Sequence, residues 1–231
     1  MAPHTVLFVV IVIAAMLMFL RNVRRLITYL RIGKPDDRSV QPLSRLKNVF
    51  VVAFGQSKLM REPVAGVMHV FIFWGFIILL LAIVEAIGEG VSPGFSFAFL
   101  GPVYPPLVFL QDCFGILVAG SVLFALFRRY VTRPARLDVR GHSQFDATMI
   151  LLMILFIMIS MFCQNALAIR DGAPVAGESR PVSNALASAL SGLSSAQTTD
   201  WFYVCWWLHI ALVLAFLNYL PYSKHLPLLS S

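Results

Sequence analysis

Five stretches of this sequence are apolar for about the twenty residues that a helix needs to cross a hydrocarbon core of ~30 Å. They lie at about 5–30, 64–87, 106–129, 146–169 and 201–223. Lipid offers no hydrogen-bond partner to a bare backbone, so each must close its own N–H and C=O groups as a helix. The expected fold is therefore all-α, an integral membrane five-helix bundle forming one domain over residues 1–231. The first stretch has no basic residue ahead of its apolar run and no small-residue cleavage signal after it. It reads as a retained span rather than a signal peptide.

The composition agrees with a membrane solvent: 59% of residues are hydrophobic and only 13% are charged. The net charge is +7, which in a soluble domain would raise the question of nucleic acid. Its distribution answers otherwise. Of the 18 Lys and Arg residues, all but Arg170 and Arg180 fall on one side of the five spans. Basic loops mark the cytoplasmic side. The N-terminus is thus expected outside, the C-terminus inside, and no nucleic-acid partner is expected. The address implied is a bacterial or archaeal cytoplasmic (inner) membrane, crossed several times.

Three connections carry shape. Leu43–Met60 has apolar residues at helical spacing with Lys and Arg between them, the pattern of an amphipathic helix lying in the interface. GEGVSPGFSFAFLGPVYPP is rich in Gly, Pro and Phe, and is expected as an aromatic loop dipping into the outer leaflet. SNALASALSGLSSAQTTD is small and polar, compatible with a short surface helix or a disordered loop.

Cys113, Cys163 and Cys205 form no CxxC pair. Neither a structural zinc site nor an iron–sulfur cluster is expected in this chain. The histidines are more telling. His4 is terminal, and His142 stands at the mouth of the fourth span. His69 lies two turns inside the second span, His209 two turns inside the fifth, and His225 just past Pro221 at the end of the fifth. Ionisable groups inside a membrane are costly and usually functional. Two helices each offering an imidazole is the arrangement a b-type haem needs. His69 and His225 are both near the cytoplasmic edge. His209 is ~24 Å from His225 by helical rise, far enough to serve a second haem, completed by Met158, Met161 or water, or left five-coordinate beside a quinone. A single haem held by His69 and His209 is the alternative.

The wording of several segments resembles a known family. EPVAGVMHVFIFWGF, AIVEAIGEG, FRRYVTRPARLD, FDATMILLMI and NYLPYSKHL are similar to the membrane domain of heterodisulfide-reductase-like Fe–S oxidoreductases, which link electron-transfer flavoprotein to quinone. The five-span plan resembles the gamma subunit of respiratory nitrate reductase. The resemblance implies a membrane cytochrome b carrying one or two haem b groups. Its substrate would be quinone or menaquinone, and its partner a cytoplasmic Fe–S protein or domain downstream or on a separate subunit, with electron-transfer flavoprotein beyond. His69 matches the second-span ligand and His209 the outer fifth-span ligand. The inner ligand is displaced: the family places it at position 227, where this chain has Pro227, with His225 two residues earlier.

Other polar groups border the spans. Glu85 and Glu89 close the second, Asp112 opens the third, and Gln164 and Asn165 close the fourth. Glu85 or Asp112 would suit a quinone and proton site, or would simply cap and solvate helix ends. Arg61, Arg128 and Arg129 would reach haem propionates or mark the interface. Two rivals stand against the cytochrome. One is a haem-free membrane anchor whose histidines pack helices. The other is a proton or ion transporter subunit, which would need facing mid-membrane carboxylates or broken repeated spans.

Overall fold

The computed structural model describes residues 3–32, 42–133, 142–172 and 179–222. These fold into seven α-helices: α1 (Pro3–Arg31), α2 (Pro42–Asn48), α3 (Pro63–Val91), α4 (Tyr104–Phe127), α5 (His142–Arg170), α6 (Pro181–Ala189) and α7 (Ser195–Tyr219). Among the described residues there is no strand. Five of the helices, α1, α3, α4, α5 and α7, are long and apolar enough to cross a membrane. Their outward faces carry exposed Val, Leu, Ile and Phe, such as Leu17, Val64, Leu123 and Phe156. In water such a surface would be prohibitive; in lipid it is the solvated face.

The five spans form a ring in the order α1, α3, α4, α5, α7 and back to α1. Glycines set the close approaches. A Cβ on Gly75 would collide with Val118 Cγ2, bringing α3 against α4. A Cβ on Gly115 would stand 2.7 Å from Met161 Cε and 2.9 Å from Phe162 Cζ, bringing α4 against α5. Gly90 gives the same room to the Phe8 ring, which seats α1 on α3 and on Trp206 and Trp207 of α7. The α5–α7 seam is tied at two depths, by His209 Nδ1 to Ile157 O at 3.2 Å and by Tyr219 Oη to Asp146 Oδ1 at 3.1 Å. Leu79, Val118, Ile157, Met158, Met161 and Val213 join four helices into one core.

The helix boundaries differ from expectation where local chemistry intervenes. The last span begins at Ser195, six residues early, because Ser194 and Gln197 form a capping box that satisfies two N-terminal donors reciprocally. It ends at Tyr219, passing into a 3-10 turn at Leu220–Tyr222. The amphipathic segment is helical over α2 and continues as a π-helical turn at Val49–Phe54. It then breaks at Gly55–Gln56, short of Met60. Gln56 takes φ 52°, and the chain reverses there into a 3-10 turn at Leu59–Arg61 before α3. Phe54 packs edge-on against Phe73 and tilted against Trp74 of α3, with ring centroids 6.0 and 6.3 Å away, and folds the segment onto the bundle.

Between α3 and α4 the Phe-rich connection forms a 3-10 helix, Phe97–Val103, with Phe95, Phe97 and Phe99 packed edge to face. The small-residue segment is ordered: α6 packs on α4 and α5 with Ser183 fully buried.

Candidate functional site

Along α3, Ala65, Met68, His69, Ile72, Phe76, Leu79, Ala82, Ile83, Ala86 and Glu89 line a single cavity. This is one helical stripe, and from Ala65 to Glu89 it runs ~36 Å at 1.5 Å per residue, the full depth of a bilayer core. Across from it, α7 contributes Phe202, Trp206, His209, Val213 and Phe216, and α5 adds Ile150, Ile154, Ile157, Met158 and Met161. The cavity holds about 2220 Å³, more than twice the upper end of ordinary small-molecule sites (~300–1,000 Å³). Its middle is aliphatic and aromatic. One end is basic, with Arg45, Arg61, Arg128 and Arg129; the other carries Glu85, Glu89, Gln111, Gln164, Asn165 and Arg180.

His209 is buried, 6% exposed, and faces this cavity. Its Nδ1 lies 3.0 Å from Ser160 Oγ and 3.2 Å from the carbonyl oxygen of Ile157. The Ser160 hydroxyl donates to the same carbonyl at 3.0 Å. A carbonyl can only accept, so the proton belongs on Nδ1. The other ring nitrogen, Nε2, then keeps its lone pair. A histidine whose Nδ1–H is held by a backbone carbonyl and a hydroxyl is oriented as a metal-binding histidine is.

His69 lines the cavity from α3, toward its basic end. It is not at the depth of His209. Gly75 meets Val118, and Gly115, three residues before Val118, meets Met161; His209 bonds to Ile157, four residues before Met161. The depth of His209 on α3 is therefore near Trp74–Ile77, while His69 sits six residues below Gly75, ~9 Å along the axis. Leu79, ten residues after His69, is packed in the core beside Val118 and Met161. Met158 and Met161 are buried against the cavity near His209. His225 lies outside the described residues, and of His142 only its place at the start of α5 is described. Among the described residues no group of three or more His, Cys, Asp or Glu side chains gathers.

The two candidate carboxylates separate cleanly. Asp112 is fully buried and does not line the cavity. Its Oδ1 accepts from Ser183 Oγ at 2.5 Å, and its Oδ2 accepts from the N–H groups of Val182 at 2.6 Å and Ser183 at 3.3 Å. It caps the N-terminus of α6, where an anion meets exposed donors and the positive end of the helix dipole. Glu85 faces the cavity, and its Oε1 accepts from Ser96 Oγ (2.7 Å), Phe97 N–H (2.7 Å) and Tyr104 Oη (2.8 Å). It thereby holds the Phe-rich connection to α3. Glu89, one turn on, also lines the cavity.

Sequence reasoning passed over two residues. Ser160 reads as an ordinary small residue in an apolar helix; its meaning depends on α7 arriving beside it. Gln111 stands next to Asp112, which drew attention as the charged member of the pair. Gln111 is 1% exposed and lines the cavity, and neither of its amide atoms has a hydrogen-bond partner among the described residues. Burying such a group costs ~1–3 kcal/mol.

The chain is 31% identical over 227 residues to the probable iron-sulfur-binding oxidoreductase FadF of Bacillus subtilis. This chain is similar to part of a probable iron-sulfur-binding oxidoreductase. The match takes in 98% of the chain and 32% of that protein. A second relative, the EtfAB:quinone oxidoreductase of Syntrophomonas wolfei, is 30% identical over 190 residues, covering 78% of the chain and 26% of its own length. The chain thus spans between about a quarter and a third of the length of the curated relatives it matches. No protein-family model matches the chain, and no solved structure is significantly similar to it.

Proposed function

We propose that the chain is the membrane cytochrome b part of a quinone-linked Fe–S oxidoreductase, of the five-span nitrate-reductase-gamma type. It would carry electrons one at a time between a membrane quinone and an iron–sulfur partner or domain on the basic, cytoplasmic side. The observation that carries this reading is a bilayer-deep cavity with His209 fixed on one wall, its Nδ1 held at Ser160 Oγ and Ile157 O. The relatives support it through their names: one is a probable iron-sulfur-binding oxidoreductase, the other an EtfAB:quinone oxidoreductase.

The residues present suit haem b. His209 and His69 would hold haem iron through their imidazoles. Their ~9 Å offset in depth favours two haems over one, with His69 serving the basic end together with His225 and His209 serving a site nearer the middle. The apolar middle matches the macrocycle, and Arg45, Arg61 and Arg128 stand where propionates would meet charge-assisted donors. Haem supplies reversible one-electron transfer; the protein supplies ligands, a low-dielectric shell and spacing. Ser160 and Ile157 O hold the imidazole plane of His209. The amphipathic α2 segment closes the basic end through Val49, Val52 and Ala53. The basic connections would attract an acidic partner surface.

The test is the reduced-minus-oxidised absorption spectrum of the detergent-purified protein, with a pyridine haemochrome to count haem. A b-type spectrum that falls by about half in His209→Ala and in His69→Ala separately supports two sites. Loss of all haem in either variant supports one haem shared by both. Protein that stays haem-free after reconstitution overturns the cytochrome reading and leaves His209–Ile157 as a packing bond in a membrane anchor.

A further inference from the structure

We infer that Gln111, together with Gln164 and Asn165, forms the head-group site for the quinone; this rests on the quinone-linked reading above. Gln111 is 1% exposed and lines the cavity, and both its amide atoms are buried without a partner among the described residues. On the facing helix, Gln164 Oε1 and Asn165 Nδ2 are likewise buried atoms without a partner there, and both residues line the same cavity. Buried polar atoms in native proteins are nearly always satisfied, and unsatisfied ones call for an explanation. Three amides around one cavity wall is not a packing accident of a single side chain.

Their depths coincide. Gly115 on α4 touches Met161 on α5. Gln111 is four residues beyond that contact on α4, and Asn165 four residues beyond it on α5. The helices run antiparallel, so both amides lie ~6 Å further toward the Glu85 end. His209, which bonds at Ser160, is about one and a half turns nearer the middle.

The chemistry fits a flat ring bearing two oxygens. In the oxidised form both oxygens accept, and the amide N–H groups of Gln111 and Asn165 donate. In the reduced form the hydroxyls donate, and the carbonyl oxygens of Gln111 and Gln164 accept. Neutral amides serve either form without the penalty of an unpaired charge in a low-dielectric site. Phe202 and Trp206 line the cavity toward the same end and offer apolar faces to the ring and its tail.

The experiment is calorimetric titration of a short-chain naphthoquinone into the full chain in nanodiscs, with empty nanodiscs subtracted. Gln111→Met keeps length and removes both polar atoms. It is expected to weaken binding at least tenfold while the melting temperature holds or rises and any haem spectrum is unchanged. Asn165→Leu is expected to weaken binding in the same direction, and it carries the test where Gln111→Met does not fold. Binding within twofold of wild type in both variants overturns the site. A melting temperature that falls with binding intact also overturns it, since the amide then has a structural role. Wild-type chain that binds no naphthoquinone overturns the quinone-linked reading itself.

Discussion

The Nδ1 of His209 stands 3.0 Å from the hydroxyl of Ser160, across the seam between α7 and α5. With Ile157 O as the second acceptor, this contact decides which imidazole nitrogen faces the cavity. Removing the hydroxyl in Ser160→Ala leaves one acceptor and a looser ring. On the proposed reading, haem retention falls ~10-fold or more, as for other outer partners of metal-binding histidines. Haem transfer to apomyoglobin would read it, and Ser160→Thr would restore it. Unchanged retention in Ser160→Ala would make the serine a helix-packing residue.

Asp112 is expected to matter for stability and little for electron transfer. Asp112→Ala strands the Ser183 hydroxyl and two backbone N–H groups at the start of α6. The loss should be about 3 kcal/mol, from a cap and buried donors left open, with Asp112→Asn losing less. Thermal unfolding in detergent measures it. A variant of normal stability that has lost quinone binding would return Asp112 to the site.

The glycine contacts predict graded packing defects. Gly75→Val drives a branched side chain at Val118 and must part α3 from α4, at ~1–3 kcal/mol. Gly115→Ala meets the mobile end of Met161 and should be milder. Unfolding midpoints of the two variants should keep that order; a reversal would place the tight seam between α4 and α5.

Topology has its own check. Single cysteines are placed at Lys58 and at Ser191 after Cys113, Cys163 and Cys205 are replaced. In intact cells an impermeant maleimide is expected to label position 191 and spare 58, because basic connections stay inside. The opposite pattern would invert the protein and move the iron–sulfur partner's docking side.

The five spans were legible because mean hydropathy is a local property: each helix must be apolar over its own length to sit in lipid, whatever its neighbours are. His69 and His209 were legible for the same reason, as ionisable residues where lipid disfavours them. The capping box at Ser194 and Gln197 was also written locally and went unread. What sequence could not show is which groups face each other. Asp112 reaches Ser183 71 residues away, and His209 reaches Ile157 52 residues away. Those pairings follow from α6 packing on α4 and α7 packing on α5, seams between segments far apart in the chain.

Sequence by itself thus determined the number of spans, their lipid-facing character and the presence of intramembrane imidazoles. Only the tertiary structure gave Asp112 to α6 and set His209 against Ser160 and Ile157. It also turned Gln111 into the cavity. The physical reason is that crossing a bilayer is a requirement on each helix alone, whereas a site is a requirement on the register between helices, and register is fixed by contacts between residues far apart in the chain.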